Sequence, residues 1–290
     1  MSPREVFALR DYLGPELKGR TISDARHVVS LTDILSQTCL GGRVAELAGR
    51  SVLLSASGQL ISALAMIELD GIARRILPCP PDLNPDHIQA LIEDAGIEAI
   101  VTDEPLRWSD AGIYLIVGAH LPEGALKSRP KTERATEWLM LTSGTSGVPK
   151  IVGYTLEGLC GTIVTDGPAR GEPPVWATFY DIRRYEGLQI FLRAIVGGGS
   201  MVLSEYGEPL ADHVARLSAR GVTHISGTPS YWRKLLMSGA ATGFSPRYVS
   251  LSGEIADQAV LDDLAQAFPN ASVGHAYAST EAGVGFTAPS

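Results

Sequence analysis

The chain has 290 residues, long for one simple core and suited to two α/β lobes, and its 45% hydrophobic and 19% charged content is that of a globular protein. A formal charge of −8, with no Lys/Arg cluster, argues against gripping a nucleic-acid backbone, and no apolar run approaches the length of a membrane span. The start, Met1-Ser2-Pro3-Arg4-Glu5, lacks an apolar signal core, and Cys39, Cys79 and Cys160 are too few and too scattered for a disulfide framework or a C-x-x-C metal site, so they read as buried free thiols of a cytoplasmic protein.

Residues 1–30 carry no clear pattern, and Ser30–Leu40 reads as the opening of a helix. The first clear strand is Ser51–Ser55. A helix follows over about Gln59–Leu69, because Leu60, Ala63, Leu64 and Ile67 recur at three and four residues and share one face. Arg74–Leu77 returns as a strand, and Pro78, Pro80 and Pro81 mark a loop. Asn84 caps the next helix with Pro85 at its first position; Ile88, Leu91, Ile92 and Ala95 form its stripe and Gly96 closes it. Ile97–Thr102, Tyr114–Val117 and Trp138–Leu141 are strands, with an exposed connection over 119–135.

The second half keeps the rhythm. Strands are expected at Val175–Tyr180, Ser200–Ser204, Val222–Ser226, Tyr248–Leu251 and Ser272–Tyr277. Helices are expected at Gly187–Ile195, from Pro209 (burying Leu210, Val214 and Leu217), after Thr228-Pro229 (with Trp232, Leu235 and Leu236), and at Asp257–Phe268. Such alternation predicts an α/β protein with two doubly wound, mostly parallel sheets covered by helices on both faces, in lobes at roughly 45–165 and 170–290. Ligands in such sheets sit beyond the carboxyl ends of the strands.

The most informative stretch is Thr142-Ser143-Gly144-Thr145-Ser146-Gly147-Val148-Pro149-Lys150, at the end of such a strand. Its glycines let backbone N–H groups approach phosphate oxygens; the hydroxyls of Thr142, Ser143, Thr145 and Ser146 add donors, and Lys150 adds a positive charge. It is not a Walker loop, since Lys150 stands three residues past Gly147 and Ile151 follows it. After the last predicted strand comes Tyr277-Ala278-Ser279-Thr280-Glu281: a ring that can stack on a base, a hydroxyl that can donate to a phosphate, and a carboxylate that can hold Mg²⁺ on phosphates. Taken alone, Glu281 would read as a solvated loop acid.

The first stretch resembles the phosphate loop of the adenylate-forming superfamily, which includes acyl-CoA synthetases, luciferases and nonribosomal adenylation domains. The second resembles that superfamily's Tyr-Gly-x-Thr-Glu signature, with Ala278 where glycine is preferred. The resemblance implies that Tyr277 contacts adenine, Thr280 the α-phosphate and Glu281 the metal, with Ser279 between them. Ser252-Gly253-Glu254 is similar to the family turn that lines the adenine pocket, although Gly253 alone is an ordinary turn residue. The stretch Val222–Ser230 resembles the segment passing the acyl pocket. His224 there reads first as a satisfied strand histidine and alternatively as a pocket residue, and His275, two residues before Tyr277, is a candidate for the acid or adenine pocket. Phe179–Leu188 aligns with a gate that is usually histidine or aromatic; Arg184 or Tyr185 would take that place, an arginine favouring an anion, unless Arg183 and Arg184 simply pair with surface acids.

The implied reaction is attack of a carboxylate on the α-phosphate of Mg·ATP, giving an acyl-adenylate and pyrophosphate, and then attack by a thiol. Lys150, Thr280 and the Glu281-held Mg²⁺ would stabilise the charge. The thiol is CoA in an AMP-forming acid–CoA ligase, and alternatively a carrier-protein thiol in an adenylation module. A non-catalytic nucleotide-binding remnant is the reading from another class. The family's ribose-binding aspartate and C-terminal lysine have no room before Ser290, so the sequence reads as part of an N-terminal domain without the C-terminal domain, expected to bind nucleotide and to adenylate slowly or not at all. The acid and the oligomeric state are left open.

Overall fold

A computed structural model describes residues 8–125, 134–142, 149–161, 163, 172–279 and 283–289. In chain order the strands and helices are β1 (Thr21–Ser23), β2 (Val28–Ser30), β3 (Gln37–Thr38), β4 (Ser51–Ser55), α1 (Gln59–Leu69), β5 (Arg75–Pro78), α2 (Ile88–Asp94), β6 (Ala99–Thr102), β7 (Leu115–Gly118), β8 (Glu123–Ala125), β9 (Glu137–Thr142), β10 (Lys150–Thr155) and α3 (Leu156–Cys160). They continue as β11 (Val175–Thr178), α4 (Tyr185–Val196), β12 (Ser200–Val202), α5 (Leu210–Ala219), β13 (His224–Gly227), α6 (Pro229–Ser238), β14 (Tyr248–Leu251), α7 (Gln258–Ala267), β15 (Ser272–Ser279) and β16 (Gly283–Pro289). The chain forms two compact units: Met1–Arg20 with Val29–Gly161, and Thr21–Val28 with Thr162–Ser290.

The first unit is built on a six-stranded sheet of order β10-β9-β5-β4-β6-β7. β9, β5, β4, β6 and β7 run parallel, as the alternating pattern predicts; β10 returns antiparallel to β9. Leu53, Leu77, Ile100, Leu139 and Leu141 share a buried cluster with Leu91, Ile92 and Trp108. The 84–96 helix begins as a 3-10 turn, where the Asn84 side chain accepts from the Asp86 N–H, before α2 proper. α1 departs from the one-face reading. It is buried nearly all round, including Gln59, Ser62 and Glu68. Its end carries two buried acids. Glu68 accepts from Thr38 Oγ1 (2.5 Å) and the Cys39 N–H (2.7 Å); Asp70 accepts from the Leu9 N–H (2.7 Å) and Trp138 Nε1 (3.0 Å). These bonds satisfy oxygens that would otherwise be costly to bury. They also explain why Ser30–Leu40 is not a helix. Only a 3-10 turn, Asp33–Leu35, forms there, and the next residues leave it to pair as β3 with β8 and to meet Glu68.

The second unit holds an eight-stranded sheet, β16-β15-β14-β13-β11-β12-β1-β2. Its strands from β15 to β1 are parallel, and β16 closes one edge antiparallel to β15. The register lines up Val202, Ala177, Ile225, Val249 and Val273 in one row. That row forms a buried core with Val214 and Leu217 of α5, Trp232 and Leu235 of α6, and Val260 and Leu264 of α7. Thr228 and Asp257 cap α6 and α7 through the Tyr231 and Val260 N–H groups. α4 packs on β11, β12 and β15 and takes no part in that core. The two sheets therefore have the parallel-rich, helix-covered α/β character read from the sequence.

Among the described residues no helix is long and apolar enough to cross a membrane. Cys39 and Cys79 are buried and Cys160 is half-buried, and the three form no disulfide.

Candidate functional site

In the first unit the phosphate-loop stretch begins at the carboxyl end of β9. Ser143, Gly144, Thr145, Ser146 and Gly147 lie outside the described residues, but both ends of the stretch are described. Thr142 is buried and Lys150 exposed, and the two are cross-strand partners in the β9–β10 ladder. Directly opposed antiparallel residues stand about 5 Å apart. The lysine is thus held beside the strand end from which the loop departs. Behind it, Trp138 is fully buried and anchored by Asp70. Burial pushes the Asp70 carboxyl up to about 7, against the bonds from Leu9 and Trp138 that favour its ionised form. A cleft lined by Glu46, Arg50, Glu98 and 112–115 has a volume of about 510 Å³. It meets residues that precede β6 and β7, the wrong ends of the strands for a ligand site of this fold.

In the second unit the carboxyl ends of β11, β13, β14 and β15 carry the candidate groups. After β14 come Ser252, half-buried, then Gly253 and Glu254, both exposed. Gly253 has φ +81°, a conformation that glycine adopts at little cost. The Glu254 carboxylate accepts from the Ser230 N–H (3.0 Å) and Oγ (2.6 Å) at the start of α6, and the Ser230 hydroxyl holds it below its ordinary value. The last β14–β15 pair is Leu251 with His275, so Tyr277 and Ala278 continue beyond the end of β14, paired only with β16. Two strand residues carry them about 7 Å further toward the same edge. The ladder register shifts between Tyr277 and Ala278. No described non-glycine residue has positive φ, so the left-handed backbone that would demand glycine at 278 does not arise. Thr280 and Glu281 lie outside the described residues.

Three further placements bear on the acid-binding candidates. Arg184 is the N-cap of α4 and half-buried; Tyr185 opens the helix and is buried. Arg183 does pair with an acid, the partly exposed Asp181, although the arginine itself is buried. Its side chain is 1% exposed and grips Asp181 through two bonds, Nε to Oδ1 (2.8 Å) and Nη2 to Oδ2 (2.6 Å). His224 is not brought to the carboxyl edge. It starts β13 at the other end, packs between Trp176 and Tyr248, and bonds Thr223 Oγ1 (2.8 Å), while burial lowers its pKa. Sequence reading missed a row of hydroxyls that crosses the sheet just behind the edge: Thr178, Ser226 and Ser250 are cross-strand neighbours, and the two serine hydroxyls bond each other. It also missed Tyr180, whose phenol reaches Ser252. The signal for the hydroxyl row was present, since each of these short strands carries one small hydroxyl residue, Thr178, Ser226 or Ser250.

A model described as AMP-binding enzyme matches residues 58–290. The chain belongs to the AMP-binding enzyme family. The chain is 26% identical to surfactin synthase subunit 1 of Bacillus subtilis (strain 168) over 235 residues, which is 76% of this chain and 6% of that protein. It thus spans only a small fraction of the curated relative it matches. Among solved structures, VinN in complex with L-aspartate superposes with a TM-score of 0.75 at 18% identity, covering 97% of this chain and 78% of VinN. The N-terminal subdomain of Klebsiella oxytoca NpsA, in complex with 3-hydroxybenzoyl-AMSN, gives 0.75 at 15% identity, covering 97% of this chain and 74% of NpsA. At these identities the chain shares their fold, and the roles of its residues rest on its own sequence and geometry.

Proposed function

We propose that this chain takes part in activating a carboxylic acid with ATP, forming an acyl-adenylate that a thiol then consumes. The observation that carries the reading is a family match running through both signature stretches, 142–150 and 277–281, each at or beyond the carboxyl end of a strand. In the first half-reaction a carboxylate oxygen bonds to the α-phosphorus of ATP as the bond to pyrophosphate breaks. Negative charge gathers on the phosphoryl centre and on the leaving group. Lys150 and the loop N–H and hydroxyl groups from Thr142 onward would meet it, and Thr280 would donate to the α-phosphate. Tyr277 would stack on the adenine, and Ser252, Gly253, Ala278 and Ser279 would line its surroundings.

Mg²⁺, when bound, would neutralise phosphate charge. Among the described residues no group of three or more His, Cys, Asp or Glu could hold a metal. An ion carried on a triphosphate needs only one or two protein carboxylates. Glu254 is committed to Ser230, so Glu281 is the proposed ligand. For the acid itself we assign Arg184, Tyr185 and His275, with the hydroxyl row as polar lining, and leave His224 as a structural strand histidine.

The thiol is CoA in the simplest form of this reading. A carrier-protein thiol is the alternative, and the curated relative that the chain matches is a subunit of surfactin synthase. The reading is tested by titrating Mg·ATP into the chain beside Lys150→Ala and Glu281→Ala. Each change removes a charge-assisted contact and should weaken binding by about tenfold or more. Affinity unchanged by both substitutions would refute the nucleotide site. Pyrophosphate exchange with acid pools, followed by CoA or phosphopantetheinylated carrier protein, separates the two acceptors.

A further inference from the structure

Residues that follow three strands of the second unit converge on one exposed turn. Tyr180 lies two residues beyond the last residue of β11. Its own N–H donates to Thr178 Oγ1 (3.0 Å), which fixes where its ring departs. The preceding side chain takes the other direction, as strand alternation requires: Phe179 stacks on Tyr231 at 4.1 Å. The Tyr180 ring instead reaches the residue after β14, where its phenol donates to the Ser252 carbonyl (2.7 Å) and accepts from Ser252 Oγ (2.9 Å). The single phenolic proton and a lone pair are thereby both used. Burial pushes the phenol further above its ordinary pKa, which already keeps it a donor at neutral pH.

Peptide planarity makes this bond directional. The Ser252 carbonyl and the Gly253 N–H point opposite ways across one trans peptide, so a carbonyl drawn toward the phenol turns that N–H away from it. The turn is held at its other positions too. The Ser252 N–H donates to the Gly227 carbonyl (3.3 Å), and Glu254 is tied to Ser230. A Cβ at Gly253 would stand 3.8 Å from Thr228 Cγ2 and 3.9 Å from the Tyr180 hydroxyl. Gly253 and Glu254 are exposed, so the core gains little from holding them still. A turn that must meet a ligand gains preorganisation.

We propose that Tyr180 is a positioning residue: its phenol sets the Ser252–Gly253 peptide plane and so shapes the turn that receives the adenine base. This rests on the nucleotide reading above. The test compares Mg·ATP and Mg·GTP binding by calorimetry to the wild-type chain, Tyr180→Phe and Ser252→Ala. Tyr180→Phe should weaken Mg·ATP about tenfold while changing Mg·GTP much less, narrowing the preference for adenine. Ser252→Ala keeps the carbonyl bond and should give a smaller loss, about threefold, in the same direction. Trp232→Phe, which removes the bond from Nε1 to the Ser250 carbonyl (3.2 Å) in the same sheet, is the control. It should lower the thermal midpoint and leave both affinities within about twofold. Equal losses for the two nucleotides in Tyr180→Phe, or unchanged Mg·ATP affinity, would overturn the positioning role while leaving the nucleotide site standing. A wild-type chain that binds neither nucleotide would overturn both.

Discussion

Asp70 should make the first unit less stable as pH rises, opposite to the trend of an ordinary ion-paired carboxylate. The side chain lies in the interior with one N–H from Leu9 and one from Trp138 pointing at it, no cation bonded to it among the described residues, and Asp11 adding a further negative charge nearby. Burial raises its pKa from 3.8 to about 7. Between those values the folded protein holds a proton that the unfolded chain has released. The stabilising contribution is therefore complete below about pH 4, declines as pH rises, and is gone above about pH 7. From pH 5 to pH 8 the decline amounts to roughly 3 kcal/mol at 1.36 kcal/mol per pH unit. Asp70→Asn removes the ionisation and keeps the shape. The assay is urea unfolding at pH 5, 6, 7 and 8, followed by tryptophan fluorescence. Other titrating groups cancel in the difference between wild type and variant. That difference should shift toward the variant by roughly 3 kcal/mol across the range, levelling off near pH 7. A difference that stays flat within about 0.5 kcal/mol, or moves the other way, would show that the carboxyl titrates normally and that burial does not control it.

Two structural substitutions extend the reasoning to the second unit. A methyl group at Gly187 would run into the backbone carbonyl of Asp181, which cannot swing aside as a side chain can. Gly187→Ala should cost about 3 kcal/mol in denaturant unfolding, and a cost below about 0.5 kcal/mol would mean the loop before α4 yields freely. The Thr228 hydroxyl accepts the Tyr231 N–H at 3.1 Å. Thr228→Ala should lower stability by about 1 kcal/mol, read as a fall in thermal midpoint, with Thr228→Ser recovering most of it.

Elements whose signals are local were legible in the sequence. β4, α1 and β14 fall where the apolar runs place them, because each is punctuated by residues that stop or start structure. The antiparallel returns were not legible. β10 contains Gly153, whose missing side chain leaves room for Glu137 on β9, and β16 carries two glycines and a proline. Edge strands tolerate such residues because one side of the ladder is unpaired, so composition alone hides them. The same holds for the Ser30–Leu40 stretch, where contacts to Glu68, about thirty residues along the chain, prevail over helical pattern. In the candidate site the signature loops announced themselves. What supports them did not: the Tyr180–Ser252 bond joins residues 72 apart, and the Asp70–Trp138 bond joins residues 68 apart. Neither leaves a trace in local spacing.

β1 imposes an order on the birth of the fold. It pairs with β12, and the Thr21 N–H bonds Ser200 Oγ, 179 residues later in the chain. At usual translation speeds of 5–20 residues per second, β1 waits about 10–40 s for its partner to be made. Through that interval Leu9 can already meet Asp70, and much of the first unit's sheet can form, while β1 has only β2 beside it and its other edge stays unpaired. The cell must therefore shelter a short open edge during synthesis. Refolding from denaturant, where both partners exist from the start, faces no such delay, and its slow step should instead follow the cost of closing this one long loop.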